Sequence, residues 1–261
     1  MLNLDDHKNE LDARGIARIE GLIPEPGTRA ALELICALGS DCGLLTPQGW
    51  RQSDGRFALD KTFRGAIRTL VASKRFPNFL THAVLQLTEN LVGEPVTPMP
   101  PGQQILFTLP GAPNWFAPHD AWHVDAARLG PLGAPGLQIF ALLDDVPPQG
   151  GGTLVVAGSH RLFNTSDVIR SKDLKRRLEK EAYFAWLFDA KREPLTTLAD
   201  TAGAVGDVEL SIVELTGRRG DVFFMDLRTL HTPAPNASNS ARVMLTCRLP
   251  RTAVASKIFS P

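Results

Sequence analysis

Three side chains in this 261-residue sequence could share one metal ion. His123 and Asp125 stand two apart in the run Trp122-His123-Val124-Asp125, and His231 lies far downstream. Two imidazoles and one carboxylate on one face of an octahedral ion leave the opposite positions open. Non-haem Fe(II) centres use that arrangement to admit a co-substrate and O2. Arg242 follows His231 by 11 positions (242 − 231), where it could anchor a diacid co-substrate.

On an extended strand, residues i and i+2 point to the same face. A strand through 122–125 would therefore aim His123 and Asp125 at one ion and turn Trp122 and Val124 into packing. His231 comes just after the strand-like GDVFFMDL (220–227) and before the turn-like TPAPNASNS. Strand ends at a barrel mouth are places where ligand sites form. His119 and Asp120 offer an alternative pair, but adjacent strand residues project to opposite faces. An H-x-D triplet also arises by chance, and Arg242 alone reads most simply as a surface strand arginine. His7 sits in a polar segment and His82 in an expected helix, so neither is read as a ligand. Spacing permits the shared ion without requiring it.

The elements that must position these residues fall into two textures. Before residue 100 the spacing predicts helices: a short one over 4–14, then 28–39 ending at Gly39, about 62–73, and about 76–92 stopping before Gly93 and Pro95. A short strand, GIARIEG (15–21), lies among them, and 40–60 is rich in Gly, Pro, Asp and Gln and reads as loop. After Pro101 come short β-rich runs: 103–109, 137–146, 152–158, 208–215, 220–227 and 242–249. Strands at this spacing indicate an antiparallel sandwich or barrel rather than a βαβ fold. Residues 171–193 interrupt them as a helical insertion, a candidate lid with Tyr183, Phe184 and Trp186 as an apolar wall. Its basic cluster, Lys172, Lys175, Arg176 and Arg177, reads first as the solvated face of an amphipathic helix, and otherwise as a docking site for an anionic substrate.

Bulk composition is ordinary: 43% hydrophobic, 21% charged, with 28 Lys plus Arg against 28 Asp plus Glu. Without a net field there is no footprint for nucleic acid or an anionic membrane. Cys36, Cys42 and Cys247 are odd in number, scattered and without C-x-x-C spacing. The N-terminus lacks the apolar stretch of a secretory signal, and no run approaches the ~18 apolar residues of a membrane span. A reducing, cytoplasmic setting is expected. No repeat, low-complexity tract or linker divides the chain.

Several segments, in order, resemble the phytanoyl-CoA hydroxylase family of Fe(II)/2-oxoglutarate dioxygenases. GIARIEGLIP is similar to the family's first strand and turn, WHVD to its iron-binding H-x-D, and LLDDVPPQGGGTLVVAGSHR to the strands and Gly-rich turn that follow. GDVFFMDLRTLHTPAPN, with the later Ala241-Arg242, resembles the strands carrying the distal His and the oxoglutarate-binding Arg.

The resemblance implies a single domain over 1–261 of α+β class, mainly β. Residues 1–100 would form a helical support packed on a double-stranded β-helix (jelly-roll, cupin-like) core over 101–250, with a helical lid insertion within 163–200. It implies His123, Asp125 and His231 as iron ligands and Arg242 as the clamp on the far carboxylate of 2-oxoglutarate. Gln104, Thr108 and Phe140 would be further pocket residues, and His160 a structural, hydrogen-bonded turn residue. Thr232-Pro233 follows the distal His where many members have Gly-Ser, which leaves the source of one oxoglutarate contact open. The implied reaction consumes O2 and oxoglutarate, releases succinate and CO2, and oxidises a C–H bond of a small-molecule substrate. Because Asp125 is present, halogenation is not expected. Alternatives are a catalytically silent metal-binding jelly roll, a hydroxylase of an acyl-CoA or of protein side chains, and a cupin-like isomerase or hydrolase. Oligomeric state is not written in the sequence.

Overall fold

The structure is a computed structural model that describes residues 3–53, 61–126, 128–129, 133–163 and 169–259. In chain order the elements are α1 (Leu4–Arg14), β1 (Ile16–Ile19), α2 (Glu25–Asp41), β2 (Leu45–Thr46), β3 (Gly49–Trp50), α3 (Lys61–Ala72), α4 (His82–Val92), β4 (Gln104–Thr108), β5 (Arg128–Leu129), β6 (Gly136–Leu142) and β7 (Leu154–Ala157). A short 3-10 turn (Ser159–Phe163) follows, then β8 (Ile169–Arg170), α5 (Ser171–Leu178), α6 (Ala182–Leu187), β9 (Gly203–Val205), β10 (Val208–Glu214), β11 (Val222–Asp226), β12 (His231–Thr232), β13 (Arg242–Pro250) and α7 (Ala255–Phe259).

Two antiparallel sheets face each other. The major sheet has the order β1-β11-β6-β13-β4 and the minor sheet β12-β7-β10-β9. This is the jelly-roll architecture the resemblance implied. β6 and β11 are buried at every position, because both faces of the major sheet are covered. Along β6 the outward residues Ile139 and Ala141 meet the N-terminal helices in a core with Ile35, Phe63, Phe224 and Leu245. The inward residues Phe140 and Leu142 pack with Val155, Met225 and Met244 between the sheets. A third cluster, including Phe163, Phe184, Leu187 and Ile212, lies behind the minor sheet. Each fully buried Phe or Leu contributes about 1.5–3 kcal/mol relative to exposure.

Local chemistry sets the joints. Gly15 ends α1 in the left-handed region (φ 72°), returning its N–H to the Leu11 carbonyl. A Cβ there would lie 2.4 Å from Nδ1 of His160, so the α1–β1 corner needs glycine twice over. T-shaped contacts of Phe107 with Trp50 and Phe63 tie α3 to β4.

Several boundaries differ from the sequence reading. α2 begins at Glu25, with proline in its first turn, and continues through Gly39 to Asp41. Gly39 lies inside the helix rather than at its end, and glycine is needed there because the Trp50 ring packs against it, 2.3 Å from where a Cβ would sit. The helix expected from 76 begins at His82, capped by Thr81, whose side chain accepts from the Val84 N–H; Pro77 lies in the irregular stretch before it. The loop over 40–60 contains the β2–β3 hairpin, and its residues 54–60 lie outside the described residues. Strand ends were read up to four residues long, as with 137–146 against Gly136–Leu142.

The insertion is two short helices, α5 and α6, rather than one. The structure corrects the expected wall: Tyr183 and Phe184 are buried in the cluster behind the minor sheet, and the Tyr183 hydroxyl donates to the Thr201 carbonyl (3.0 Å). Trp186 is partly exposed and stacks near Arg192. None of the three lines the cavity at the candidate metal centre. In the basic cluster Lys175 faces Glu179 and Arg176 bonds Asp173, the pattern of a solvated helix face. The Lys172 side chain and residues 164–168 of the insertion lie outside the described residues.

Candidate metal centre

His123, Asp125 and His231 converge. Each offers one ligand atom, and these atoms lie within 4.8 Å of one another, the one such group of three or more among the described residues. Nε2 of His123 is 3.8 Å from Asp125 Oδ1, and Nε2 of His231 is 3.9 Å from Oδ2.

The route to this convergence differs from the one expected. Residues 122–126 are not a regular strand: His123 makes an isolated antiparallel bridge to His231, and Asp125 sits in a bend. Trp122 and Val124 do turn into packing, in the cluster behind the minor sheet. The Trp122 indole donates to the Pro118 carbonyl (2.9 Å), which holds the segment beside β12. On the other side, the Leu230 N–H donates to Ser159 Oγ and Thr229 Oγ1 donates to the Gly15 carbonyl, fixing the approach to His231.

Both imidazoles are oriented by backbone. Nδ1 of His123 is 2.8 Å from the Ala121 carbonyl, and Nδ1 of His231 is 3.0 Å from the Thr229 carbonyl. A carbonyl only accepts, so each Nδ1 carries the proton and each Nε2 is left with its lone pair toward the cluster. Partners of this kind fix tautomer and raise ligand basicity at metal centres. Burial, helped by the neighbouring His123, pulls the His231 pKa down to about 4. Asp125 and the Thr229 carbonyl act in the opposite direction, and Arg248 adds a small lowering. His231 is therefore held neutral near pH 7, the form in which an imidazole can bind a metal.

The inner face of the major sheet forms the floor. The triad opens on a cavity of about 270 Å³ that also takes in Gln104, Leu106, Gln138, Phe140, Thr153, Pro233, Arg242, Thr246 and Arg248. Arg242 begins β13 opposite Thr108 on β4. Its guanidinium is buried, bonds Thr108 Oγ1, and reaches Met244 Sδ at 3.4 Å. Nε has no partner among the described residues. Burial without a carboxylate in contact lowers its pKa to about 10, with Glu214 opposing from a distance. An isolated buried cation is costly unless an anion joins it, and its fork is of the kind that pairs with a carboxylate.

The softer expectations fall as follows. Gln104 and Phe140 line the cavity, and the Phe140 ring lies 6.2 Å from that of His231. Thr108 holds Arg242. Thr232 is buried and does not line the cavity. His160 bonds the Asp12 carbonyl at 3.2 Å, a structural tie from the Gly-Ser-His turn to α1; burial lowers its pKa. His119 and Asp120 stand outside the cluster. The sequence reading missed Gln138, Thr153, Thr246 and Arg248. The signal was present: 242, 244, 246 and 248 alternate onto the same face of β13 as Arg242.

Residues 12–244 match the model of the family described as phytanoyl-CoA dioxygenase (PhyH), most of the chain. The chain belongs to the PhyH family. PhyH proteins are non-haem iron, 2-oxoglutarate-dependent enzymes with a jelly-roll core, and the His-Asp-His cluster of this chain fits the iron such enzymes use. The fold is shared with AviO1 from Streptomyces viridochromogenes Tue57, at 19% identity and TM-score 0.54 over 97% of each chain. It is also shared with the epimerase SnoN from nogalamycin biosynthesis, at 18% identity and TM-score 0.53, covering 95% of this chain and 80% of that one. The carbocyclase SnoK from nogalamycin biosynthesis gives 19% identity and TM-score 0.51, covering 95% and 84%. A stretch of 92 residues, 34% of the chain, is 36% identical to the ubiquinone/menaquinone biosynthesis C-methyltransferase UbiE of Brucella anthropi and covers 33% of it. The chain thus spans about a third of the curated relatives it matches, too little to assign their activity.

Proposed function

We propose that the protein oxidises a small metabolite in an Fe(II)- and 2-oxoglutarate-dependent reaction, most simply by hydroxylating an unactivated C–H bond. The observation that carries this reading is the buried Arg242 guanidinium, with an unpartnered Nε, in the same cavity as a neutral two-histidine, one-carboxylate cluster. The donor set fits a divalent ion, and the arginine fits the far carboxylate of a diacid. When bound, the iron and oxoglutarate supply the oxidising power, with succinate and CO2 as by-products.

The chain's own residues bind, orient and exclude. His123, Asp125 and His231 occupy one face of the ion and leave the cavity side free. Thr108 holds Arg242 in place, so the fork meets the co-substrate without reorganising. Phe140 and Leu106 form dry walls beside the triad. No side chain has to act as acid or base in this scheme. Because Asp125 occupies its place in the cluster, insertion of oxygen is favoured over halide transfer.

A second cavity of about 770 Å³ lies between α3 and the edge strand β4 and shares Gln104, Leu106, Pro233 and Arg242 with the first. Its walls include Ile67, Val71 and Phe107, and Arg64 and Arg68 stand at its rim. We assign it as the approach for substrate, which favours a partly apolar small molecule. SnoN and SnoK are enzymes of nogalamycin biosynthesis, and a place in natural-product metabolism is proposed by that analogy. The acyl-CoA alternative loses the support it drew from Lys175 and Arg176, whose partners are Glu179 and Asp173. Three free cysteines and the lack of any helix, among the described residues, long and apolar enough to cross a membrane accord with the proposed reducing, cytoplasmic setting.

The test is oxoglutarate-dependent formation of succinate by the Fe(II)-loaded protein under air. Slow uncoupled turnover in wild type, sharply reduced in Arg242→Ala at an oxoglutarate concentration near the wild-type KM, is expected. No turnover with any candidate substrate would support the silent binding-protein alternative.

A further inference from the structure

One edge of the major sheet is open. β4 is its last strand and, among the described strands, pairs with β13 alone. In an antiparallel ladder the N–H and C=O of successive residues point alternately to the two sides of the strand. On β13, Val243 faces β6, because its carbonyl accepts from the Leu143 N–H at 3.0 Å. Arg242, Met244 and Thr246 therefore face β4 and bond their register partners Thr108, Leu106 and Gln104. By the same alternation the N–H and C=O groups of Ile105 and Phe107 point away from β13, and they have no hydrogen-bond partner among the described residues. Nothing in the strand blunts this edge: Gln-Ile-Leu-Phe-Thr has no charge and no proline, and its register with β13 is unbroken by a bulge.

The cavity of about 770 Å³ runs along that open side. It is lined by Ile105 and Phe107 from one face of β4 and by Gln104, Leu106 and Thr108 from the other. One cavity meets both faces of a strand only by passing its edge. Ile67 and Val71 of α3 stand across it. Gln104 and Leu106 also line the cavity at the triad, so the inward face of this edge leads to the candidate metal centre. Its charged lining residues are arginines, with no carboxylate among them, which suits a neutral or acidic occupant. Backbone amides at strand spacing are the groups that satisfy a free ladder edge.

We infer that the substrate is a short, linear, peptide-like molecule that adds to β4 as an antiparallel strand. Three residues suffice. The outer two lie opposite Phe107 and Ile105, exchange both backbone bonds with each, and turn their side chains toward α3. The central one lies opposite Leu106, and its side chain points inward, toward the triad. This rests on the oxygenase reading above and adds to it the substrate's class and the residue to be oxidised. One atom of O2 enters a C–H bond of that central side chain, and the other leaves in succinate.

The test is calorimetric binding of two blocked tripeptides to the full chain, with and without Zn(II) and oxoglutarate, so that no turnover is needed. The probes are acetyl-valyl-leucyl-valine methylamide and its analogue with phenylalanine at the centre. N-methylation of either valine removes an N–H that faces β4 and is expected to weaken binding about tenfold or more. N-methylation of the central residue, whose N–H faces away, is expected to change it by no more than about twofold. On the protein side, Ile105→Pro deletes one outward N–H and spares the ladder to β13. It is expected to bind peptide about five- to tenfold more weakly than Ile105→Ala, which controls for the lost side chain. Binding of neither parent, equal sensitivity to methylation at all three positions, or equal binding by the two Ile105 variants overturns the inference and leaves the oxygenase reading standing. Peptide binding with the expected alternation, in a protein whose Fe(II) form gives no charge-transfer band with oxoglutarate, removes the oxygenase reading and with it the peptide's role as substrate.

Discussion

His123 and His231 are joined by two reciprocal backbone hydrogen bonds, each N–H donating to the other's carbonyl at 2.9 Å. The two imidazoles of the candidate metal centre are thus neighbours in one antiparallel bridge, with ring centroids 4.3 Å apart. Their spacing is set by backbone rather than by side-chain packing, so the centre should be largely preformed before metal arrives.

Asp125 is the ligand whose loss the fold tolerates best, because it sits in a bend and is partly exposed. Asp125→Ala is expected to abolish oxygenation and lower metal affinity by at least about tenfold, with stability within roughly 1 kcal/mol of wild type. His231→Ala should lose metal and stability together, since it opens a hole in a buried wall. Metal content and thermal melting of the two variants separate these effects.

Arg242→Ala is expected to raise the KM for oxoglutarate by about 30- to 100-fold, the worth of a buried charge-assisted pair. Thr108→Val, which removes the hydroxyl that steadies the guanidinium, should raise it by several-fold and leave metal binding unchanged. Steady-state succinate formation against oxoglutarate concentration checks both.

The metal-free protein should lose stability as pH falls from about 6.5 toward 4. The sign follows from His231: its folded pKa is pulled down, first by burial, so over this window the unfolded chain binds more protons than the folded one. Stability is therefore full above the ordinary histidine pKa and declines below it. His160, lowered by burial in the same direction, adds to the slope. Melting temperature across this range should fall by several degrees, and by less with Zn(II) present, because metal binds the neutral imidazole.

Tyr183→Phe tests where the insertion's aromatics face. The hydroxyl bonds the Thr201 carbonyl behind the minor sheet, so the variant should lose about 1 kcal/mol of stability and leave oxoglutarate turnover unchanged. A change in turnover without a change in melting would return Tyr183 to the substrate wall.

The legible parts of this protein were those where chemistry and alternation coincide. The triad, Arg242 and the strand run after Pro101 could be read because ligand types and period-two burial are local properties. His123 and Asp125 do come together with His231, but not by the strand alternation their spacing suggests: no strand carries them, and the bridge to His231, 108 residues away (231 − 123), supplies the geometry instead. Tyr183 and Phe184 were assigned to the pocket because apolar residues in an insertion look alike whichever side they cover. Arg248 and Gln138 were overlooked because their meeting depends on the β6–β13 register, which no short motif encodes.

The most direct test is anaerobic addition of Fe(II) and 2-oxoglutarate to the purified protein, followed by visible absorption. The account predicts a metal-to-ligand charge-transfer band that is absent with either component alone and absent in Asp125→Ala and Arg242→Ala at matched concentrations. Wild-type protein that binds Fe(II) yet shows no such band at saturating oxoglutarate would contradict it.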